Sequence, residues 1–220
     1  MILVIDMSKV VIHIVLFLCL SLFCHSCAPE PVPIGHKKDV RTVPKKTTKN
    51  LQKAISATQI FKKCNAAVFR CYASNEYSRS QGSGFFVKSN GIGVSNYHVF
   101  RGKEYYYIEL SNGNKYDIEI LASNPEKDYV IFKTLQRMKS PYIPISRRKY
   151  IVGQKVYALG SPLDTENTFN SGMISQKRND NGCKLIQIDV PIDHGSSGGV
   201  LLNEYGEAIG ITSSGIPSLA

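Results

Sequence analysis

The sequence has 220 residues, 43% of them hydrophobic, which is enough to bury the core of one mid-sized domain or of two small barrels. Its net charge at pH 7 is +10, and much of the excess lies in residues 37–63. No nucleic-acid-binding motif follows this basic stretch. The composition therefore argues against a nucleic-acid partner, and it favours a solvated linker over a segment that binds an anionic membrane.

The N-terminus has the pattern of a targeting segment. Lys9 precedes the apolar residues 10–23, and small or polar residues follow. The run is short for a membrane-spanning helix and fits a secretory signal, so residues 1–26 are predicted to be a signal peptide and the protein to be exported. Cleavage after Ser26 would leave Cys27 at the new N-terminus. The sequence leaves open whether Cys27 then carries a lipid that anchors the chain to a membrane.

Cys19 and Cys24 lie in this segment and Cys27 lies at its predicted cleavage site, which leaves three of the six cysteines: Cys64, Cys71 and Cys183. An odd number allows at most one disulfide, and a Cys64–Cys71 bond and three free thiols stay open as alternatives. No Cys/His cluster has the spacing of metal ligands, so we expect neither a metal nor another cofactor.

The rest of the chain is organised around short strands. Residues 27–50 are rich in Pro and Lys and are predicted to form an exposed tether, and residues 51–63 fit a short amphipathic helix. Predicted strands cover residues 66–72, 83–87, 92–95, 105–110, 116–121 and 129–132, and then 155–159, 172–174, 185–188 and 207–211. So many short strands indicate an all-β barrel or sandwich. The polar connector 136–150 favours two barrels, in residues 51–135 and 151–220.

Ser197 lies in the most informative stretch, between Gly195 and the pair Gly198 and Gly199. Glycine tolerates positive φ, so the chain can turn tightly and aim the N–H groups of Gly195 and Ser197 at one point beside the serine hydroxyl. That is the geometry of an oxyanion hole next to a nucleophile. The alternative is a Gly/Ser-rich surface turn, and the choice depends on finding a base, because serine alone is a poor nucleophile.

His98 is the candidate base, at the predicted end of a strand. The other histidines are excluded by their place in the predicted signal, in the tether or too close to Ser197 on its loop: His13, His25, His36 and His194. Asp128, at the head of an apolar strand, is the candidate carboxylate that would orient the imidazole. Glu126 and Asp164 are weaker rivals because no apolar strand holds them.

With these residues in this order, the chain resembles the trypsin-like (chymotrypsin-fold) serine peptidases, closest to their HtrA/Do-like branch, over about residues 61–211. The resemblance rests on residues 81–85 (QGSGF), 95–99 (SNYHV), 127–130 (KDYV) and 193–200 (DHGSSGGV), with 160–163 (GSPL) and 171–175 (SGMIS) in support. The sequence departs from the family pattern at four positions: Tyr129, His194, Ser196 and Val200.

The resemblance implies an all-β fold of two six-stranded antiparallel barrels and a serine endopeptidase acting on proteins or peptides. Its triad would be His98, Asp128 and Ser197, with an oxyanion hole from Gly195 and Ser197. The substrate pocket would be lined by Ile192, Thr212, Ser213, Ser214 and Ile216, which suits small or medium aliphatic side chains. No PDZ domain is expected after the peptidase region.

The family usually continues through one more strand and a closing helix after the position of Ile211, so we expect a second barrel that is incomplete at the C-terminus. This expectation keeps two other classes of function open. One is a catalytically inactive binding module of the cell envelope with the same fold. The other is a basic surface-binding protein tethered through Cys27. The oligomeric state has no signature in the sequence.

Overall fold

The structure is a computed structural model that describes residues 2–6, 53–161, 167–180, 182–192 and 195–213. Its strands form two closed six-stranded antiparallel barrels, which confirms the predicted fold class. The first barrel has the strand order β2-β3-β4-β7-β6-β5, from β2 (Val68–Ser74), β3 (Arg79–Phe86), β4 (Ile92–Ser95), β5 (Tyr105–Glu109), β6 (Lys115–Asn124) and β7 (Tyr129–Thr134). The second has the order β1-β10-β9-β8-β11-β12, from β1 (Ile2–Asp6), β8 (Lys155–Gly160), β9 (Thr168–Asp180), β10 (Cys183–Ile188), β11 (Val200–Leu202) and β12 (Ala208–Ser213).

Alternation along the strands fills each barrel. In β2, Phe69, Cys71 and Ala73 are buried, while the residues between them are partly exposed. Successive side chains of a strand point to opposite faces, so one face of β2 lines the barrel and the other meets solvent. Gly93 makes room for this packing, because a Cβ there would lie 2.8 Å from the Phe132 ring.

Besides the apolar cluster inside each barrel, another apolar cluster joins the two barrels. It combines Val68, Phe85 and Tyr129 of the first barrel with residues of the second that include Leu159 and Ile211. Burial of apolar surface at about 25 cal/mol per Å² makes this shared cluster a strong constraint on how the barrels sit against each other. The seam between them is therefore a fixed surface on which residues from both barrels can meet.

Two short helices lie among the described residues. Helix α1 (Ala57–Cys64) begins at Ala57 because Ser56 caps it: the Ser56 hydroxyl accepts from the Gln59 N–H at 3.3 Å, and the Gln59 side chain accepts from the Ser56 N–H at 2.9 Å. The described part of the predicted helix 51–63 thus starts later than expected, and a 3₁₀ turn (Asn65–Ala67) follows it. Helix α2 (Tyr97–Phe100) was not predicted, and it places His98 in a helical turn after β4 and not at a strand end.

The second barrel is closed by β1, a strand from the beginning of the chain. Its residues pair with β10 on one side and with β12 on the other, for example Val4 with Ile186 and with Thr212. The expectation of an incomplete second barrel is therefore wrong for this structure, because Ile2–Asp6 supplies the sixth strand. The signal peptide at residues 1–26 stays a prediction, and its removal would remove β1.

Cys64 and Cys71, both beyond the predicted signal, are free thiols, so the structure has no disulfide between them. Cys64 and Cys71 are buried, and desolvation by burial raises their thiol pKa values to about 11 and about 12. Both thiols therefore stay protonated at neutral pH and are poor nucleophiles. No helix in the described part of the chain has both the length and the apolar character needed to cross a membrane.

The role of β1 can be tested at Val4, whose side chain is fully buried in the second barrel with Ile186 and Leu201. We expect Val4→Asp to lower the free energy of unfolding of the full chain by about 3 kcal/mol, because it buries an unpaired carboxylate. Urea denaturation measures the change. Val152→Asp is the matched control, since Val152 is 55% exposed. Equal midpoints for the two variants would show that residues 2–6 do not close the barrel in solution.

Candidate active site

His98 and Asp128 meet at the seam, on the side of the first barrel. The Asp128 carboxylate accepts two hydrogen bonds from His98, one from the backbone N–H to Oδ1 at 2.8 Å and one from the ring Nδ1 to Oδ2 at 2.8 Å. A carboxylate accepts hydrogen bonds, so this contact favours the neutral imidazole tautomer that has its proton on Nδ1 and its lone pair on Nε2. The His98 side chain is 43% exposed, whereas that of Asp128 is 3% exposed. The ring is thus held at one nitrogen and accessible at the other.

Asp128 is held in an unfavourable backbone conformation. Its φ is +46°, in the left-handed region that a residue with a Cβ rarely adopts. The buried side chain of Asn96 donates to the Asp128 carbonyl at 2.9 Å, and the Ser213 hydroxyl donates to Oδ2 at 3.4 Å. Backbone strain that the surroundings enforce is common at functional sites. The contacts of Asn96 and Ser213 therefore hold the Asp128 carboxylate in position.

Asn96 is a site residue whose separate role the sequence did not reveal. Its Oδ1 is buried without a hydrogen-bond partner among the described residues, which is an energetic cost. The Nδ2 contact with Asp128 explains why an amide is found there. Asn96 lies within the SNYHV block of residues 95–99, on which the resemblance rests, and this block is the sequence feature that could have indicated its role.

The loop that carries Ser197 is shaped by glycines and by contacts to the first barrel. Gly195 and Gly198 both have φ of +90°, a conformation that favours glycine. A Cβ on Gly198 would overlap the carbonyl of Ser83, so this position also needs the absence of a side chain. The Ser83 N–H donates to the Ser197 carbonyl at 2.7 Å, and the Ser83 hydroxyl donates to the Gly195 carbonyl at 2.8 Å.

Strand β12 holds the same loop from the second barrel. The Gly198 N–H donates to the Thr212 carbonyl at 2.8 Å, the Thr212 N–H donates to the Gly199 carbonyl at 2.9 Å, and the Thr212 hydroxyl donates to the Ser196 carbonyl at 2.8 Å. Three loop residues, Ser196, Gly198 and Gly199, are thereby tied to one strand. The loop is fixed from both barrels, which is the preorganisation that an oxyanion site requires.

Ser197 lies next to the helix that carries His98. A Cβ on Gly82 would lie 2.7 Å from the Val99 side chain and 2.8 Å from the Ser197 carbonyl, so both residues approach the same point of β3. Val99 directly follows His98 in α2. The structure therefore brings Ser197 close to the helix that carries His98, and His98 contacts Asp128. Glu126, the rival carboxylate, is exposed.

The predicted pocket residues have varied surroundings. Thr212 and Ser213 are both buried. The Thr212 hydroxyl donates to the Ser196 carbonyl and the Ser213 hydroxyl donates to the Asp128 carboxylate, so both side chains support residues of the candidate site. Ile192 is half-buried against the core of the second barrel. Ser214 and Ile216 lie outside the described residues, as do Asp193, His194 and Asp164. The assignment of these residues to the substrate pocket stays a prediction.

Among the described residues, no group of three or more His, Cys, Asp or Glu side chains could hold a metal ion. What the described geometry offers is an oriented imidazole beside a serine on a loop with constrained glycines. That arrangement suits nucleophilic acyl transfer, in which the imidazole moves a proton and the loop N–H groups stabilise negative charge.

Comparisons with known proteins agree with this chemistry. The family profile described as a trypsin-like peptidase domain matches residues 82–211, more than half of the chain. Human serine protease HTRA4 is 32% identical over 141 residues, 60% of this chain and 30% of that protein. Mitochondrial serine protease HTRA2 of Bos taurus is 31% identical over 156 residues, 67% of this chain and 34% of that protein. The chain thus spans about a third of the length of these relatives.

Solved structures show the same fold. The crystal structure of the serine endoprotease from Yersinia pestis matches with a TM-score of 0.63 and 29% identity, over 71% of this chain and 57% of that one. An HtrA-type protease with a tripeptide matches with a TM-score of 0.65 and 27% identity, over 71% of this chain and 54% of that one. These similarities confirm the resemblance inferred from the motifs.

The fit of the Ser197 loop against Ser83 can be tested with Gly198→Ala. The added methyl group would collide with the Ser83 carbonyl and displace Ser197, and a misplacement of about 1 Å can slow a reaction about 100-fold. We therefore expect a fluorophosphonate to label Gly198→Ala about 100-fold more slowly than the unmodified chain. Gly153→Ala is the control, because Gly153 has φ of +84° with no atom within 4 Å of an added Cβ. Similar labelling of both variants would exclude this contact as a constraint.

Proposed function

The chain belongs to the trypsin-like serine peptidases, in their HtrA-like branch, and we propose that it is a serine endopeptidase that hydrolyses peptide bonds in proteins or peptides. The observation that carries the proposal is the 2.8 Å contact between His98 Nδ1 and the buried Asp128 carboxylate, beside the constrained loop of Ser197. An unused scaffold would have no need of a strained aspartate that fixes the tautomer of a solvent-accessible histidine.

In the proposed mechanism, Ser197 Oγ attacks the carbonyl carbon of the scissile peptide while His98 Nε2 takes the hydroxyl proton. Asp128 stabilises the resulting imidazolium, and the N–H groups of Gly195 and Ser197 hold the oxyanion. The C–N bond then breaks, His98 gives its proton to the leaving amine, and an acyl-enzyme remains. Water, deprotonated by His98, attacks the ester and releases the acid product with Ser197 restored.

The pocket lining inferred from the resemblance has no acidic residue at its base, so cleavage after Lys or Arg is not expected. Small or medium aliphatic side chains are the proposed substrates at the cleavage site. We further propose that the protein is exported, and the mass of the mature chain would show both cleavage after Ser26 and a lipid on Cys27.

The nucleophile can be identified by labelling with a fluorophosphonate probe. We expect the full chain to be labelled and Ser197→Ala to be unlabelled, because only an activated serine reacts with the probe. Ser196→Ala is the matched control, since this neighbouring serine should be dispensable for the reaction. Labelling that persists in Ser197→Ala would place the nucleophile elsewhere. A folded chain that is never labelled would favour the inactive binding module.

The role of the carboxylate can be tested with Asp128→Asn. The amide cannot hold the Nδ1 proton of His98 as the carboxylate does, and we expect kcat to fall by about 10⁴-fold. Glu126→Gln removes the exposed rival carboxylate and should leave kcat unchanged. Peptide hydrolysis by the two variants, measured at one pH, separates the assignments. A larger fall in kcat for Glu126→Gln than for Asp128→Asn would instead assign the orienting role to Glu126.

A further inference from the structure

The second barrel carries a basic groove that takes no part in the proposed chemistry. Its volume is about 610 Å³, within the usual range for ligand sites. The cationic side chains that line it come from three separate segments, namely the connector before β8, strand β9 and strand β10: Arg147, Arg148, Lys149, Lys177, Arg178 and Lys184. We call this set the basic groove.

The charge of the basic groove is poorly balanced by its own residues. Asp6 is the one carboxylate among its described lining residues, and it accepts a hydrogen bond from the Tyr150 hydroxyl at 2.6 Å. Arg148 lies 3.4 Å from Glu207 and above the Tyr205 ring. The other five cations converge within one concave surface, so they lie within a Debye length and repel each other.

The fold itself does not require this convergence. All six cationic side chains are exposed, and none belongs to a hydrophobic cluster of the barrels. None belongs to residues 1–26, whereas Asp6 does, so removal of that segment would take away the one carboxylate and leave all six cations in the chain. Clustered cations on a concave surface raise the local concentration of anionic ligands and speed their binding.

The basic groove lies within reach of the candidate active site. Ile209 lines the groove, and Ser213, four residues further along β12, contacts Asp128. At about 3.3 Å per residue in a strand, the two sites are roughly 13 Å apart along β12. An extended polypeptide spans about 3.3–3.6 Å per residue, so at least about four substrate residues are needed, and more for a path over the surface, because every residue of β12 is buried.

We propose that the basic groove is a second substrate-binding site that holds an acidic stretch of a polypeptide while a nearby segment of the same polypeptide is cleaved. This substrate class rests on the proposed peptidase function. Arginine presents a fork of donors that matches a carboxylate, and several Asp or Glu side chains can engage several cations at once. The groove is concave and therefore suits a chain that enters it better than a flat bilayer surface.

Binding at two points of one polypeptide raises the effective concentration of the cleavable segment at Ser197. The groove therefore lowers KM for substrates with an acidic stretch and leaves kcat unchanged, because none of its residues touches the reacting atoms. The effect weakens as salt is added, since exposed charges are screened.

The test uses the full chain with Ser197→Ala, so that bound peptide is not cleaved. A fluorescent peptide of eight glutamates is titrated at low and at physiological salt, with a Ser/Gly peptide of equal length as the neutral reference. The groove variant adds Arg147→Glu, Lys149→Glu and Lys184→Glu. The control adds Lys53→Glu, Arg137→Glu and Lys139→Glu, which change the net charge equally at exposed positions outside the groove.

We expect the groove variant to bind the glutamate peptide about tenfold or more weakly than the control, which should bind it nearly as well as the parent. Equal binding by the two variants, or no binding by the parent at low salt, would overturn the proposal. Binding of a sulfated polysaccharide without binding of the glutamate peptide would overturn the assignment to a polypeptide.

Fluorophosphonate labelling of the groove variant with Ser197 intact keeps this test separate from the proposed function. Labelling as fast as in the unmodified chain, together with weaker peptide binding, supports a binding site separate from the chemistry. If the unmodified chain is never labelled, the peptidase function fails, while the peptide titration still decides whether the groove binds acidic chains.

Discussion

Ser83 makes the hydrogen bonds on which the candidate site depends. It belongs to the first barrel, yet its N–H and hydroxyl hold the carbonyls of Ser197 and Gly195 at 2.7 and 2.8 Å. The same hydroxyl accepts from the Ser161 N–H at 2.8 Å, and the Ser83 carbonyl accepts from the Ser95 hydroxyl at 2.7 Å. One fully buried serine thus fixes the nucleophile loop against the first barrel, and a buried network with its members paired is rigid.

Ser213 makes a contact in the opposite direction, from the second barrel to the first. It belongs to the second barrel and donates to Asp128, which lies at the start of β7 in the first. The candidate nucleophile loop is therefore braced by the first barrel, and the candidate carboxylate is contacted by the second. Because the shared apolar cluster fixes the barrels against each other, these polar contacts do not have to hold the two barrels together alone.

Strand β12 links several of these features. It pairs with β1, supports the Ser197 loop through Thr212 and lines the basic groove at Ile209. The proposed acidic-substrate site and the candidate active site share a structural element, although their residues do different work.

The sequence by itself determined the class of fold and the candidate site residues. Short apolar strands, the glycines around Ser197 and the blocks that contain His98 and Asp128 are local patterns, and local patterns can be read along a chain. The connector indicated two barrels, and the structure has two, with β1 from the beginning of the chain in the second. Each of these inferences needed only residue type and spacing.

Only the tertiary structure decided which distant residues touch. Three sets of contacts join positions far apart in sequence. They are the pairing of Ile2–Asp6 with β10 and β12, the hydrogen bond from Asn96 to Asp128, and the hydrogen bonds of Ser83 to the Ser197 loop. The six cations of the basic groove are likewise spread over three segments. Propensity and periodicity describe neighbours along the chain, whereas these contacts arise when packing of the whole barrel brings remote strands together.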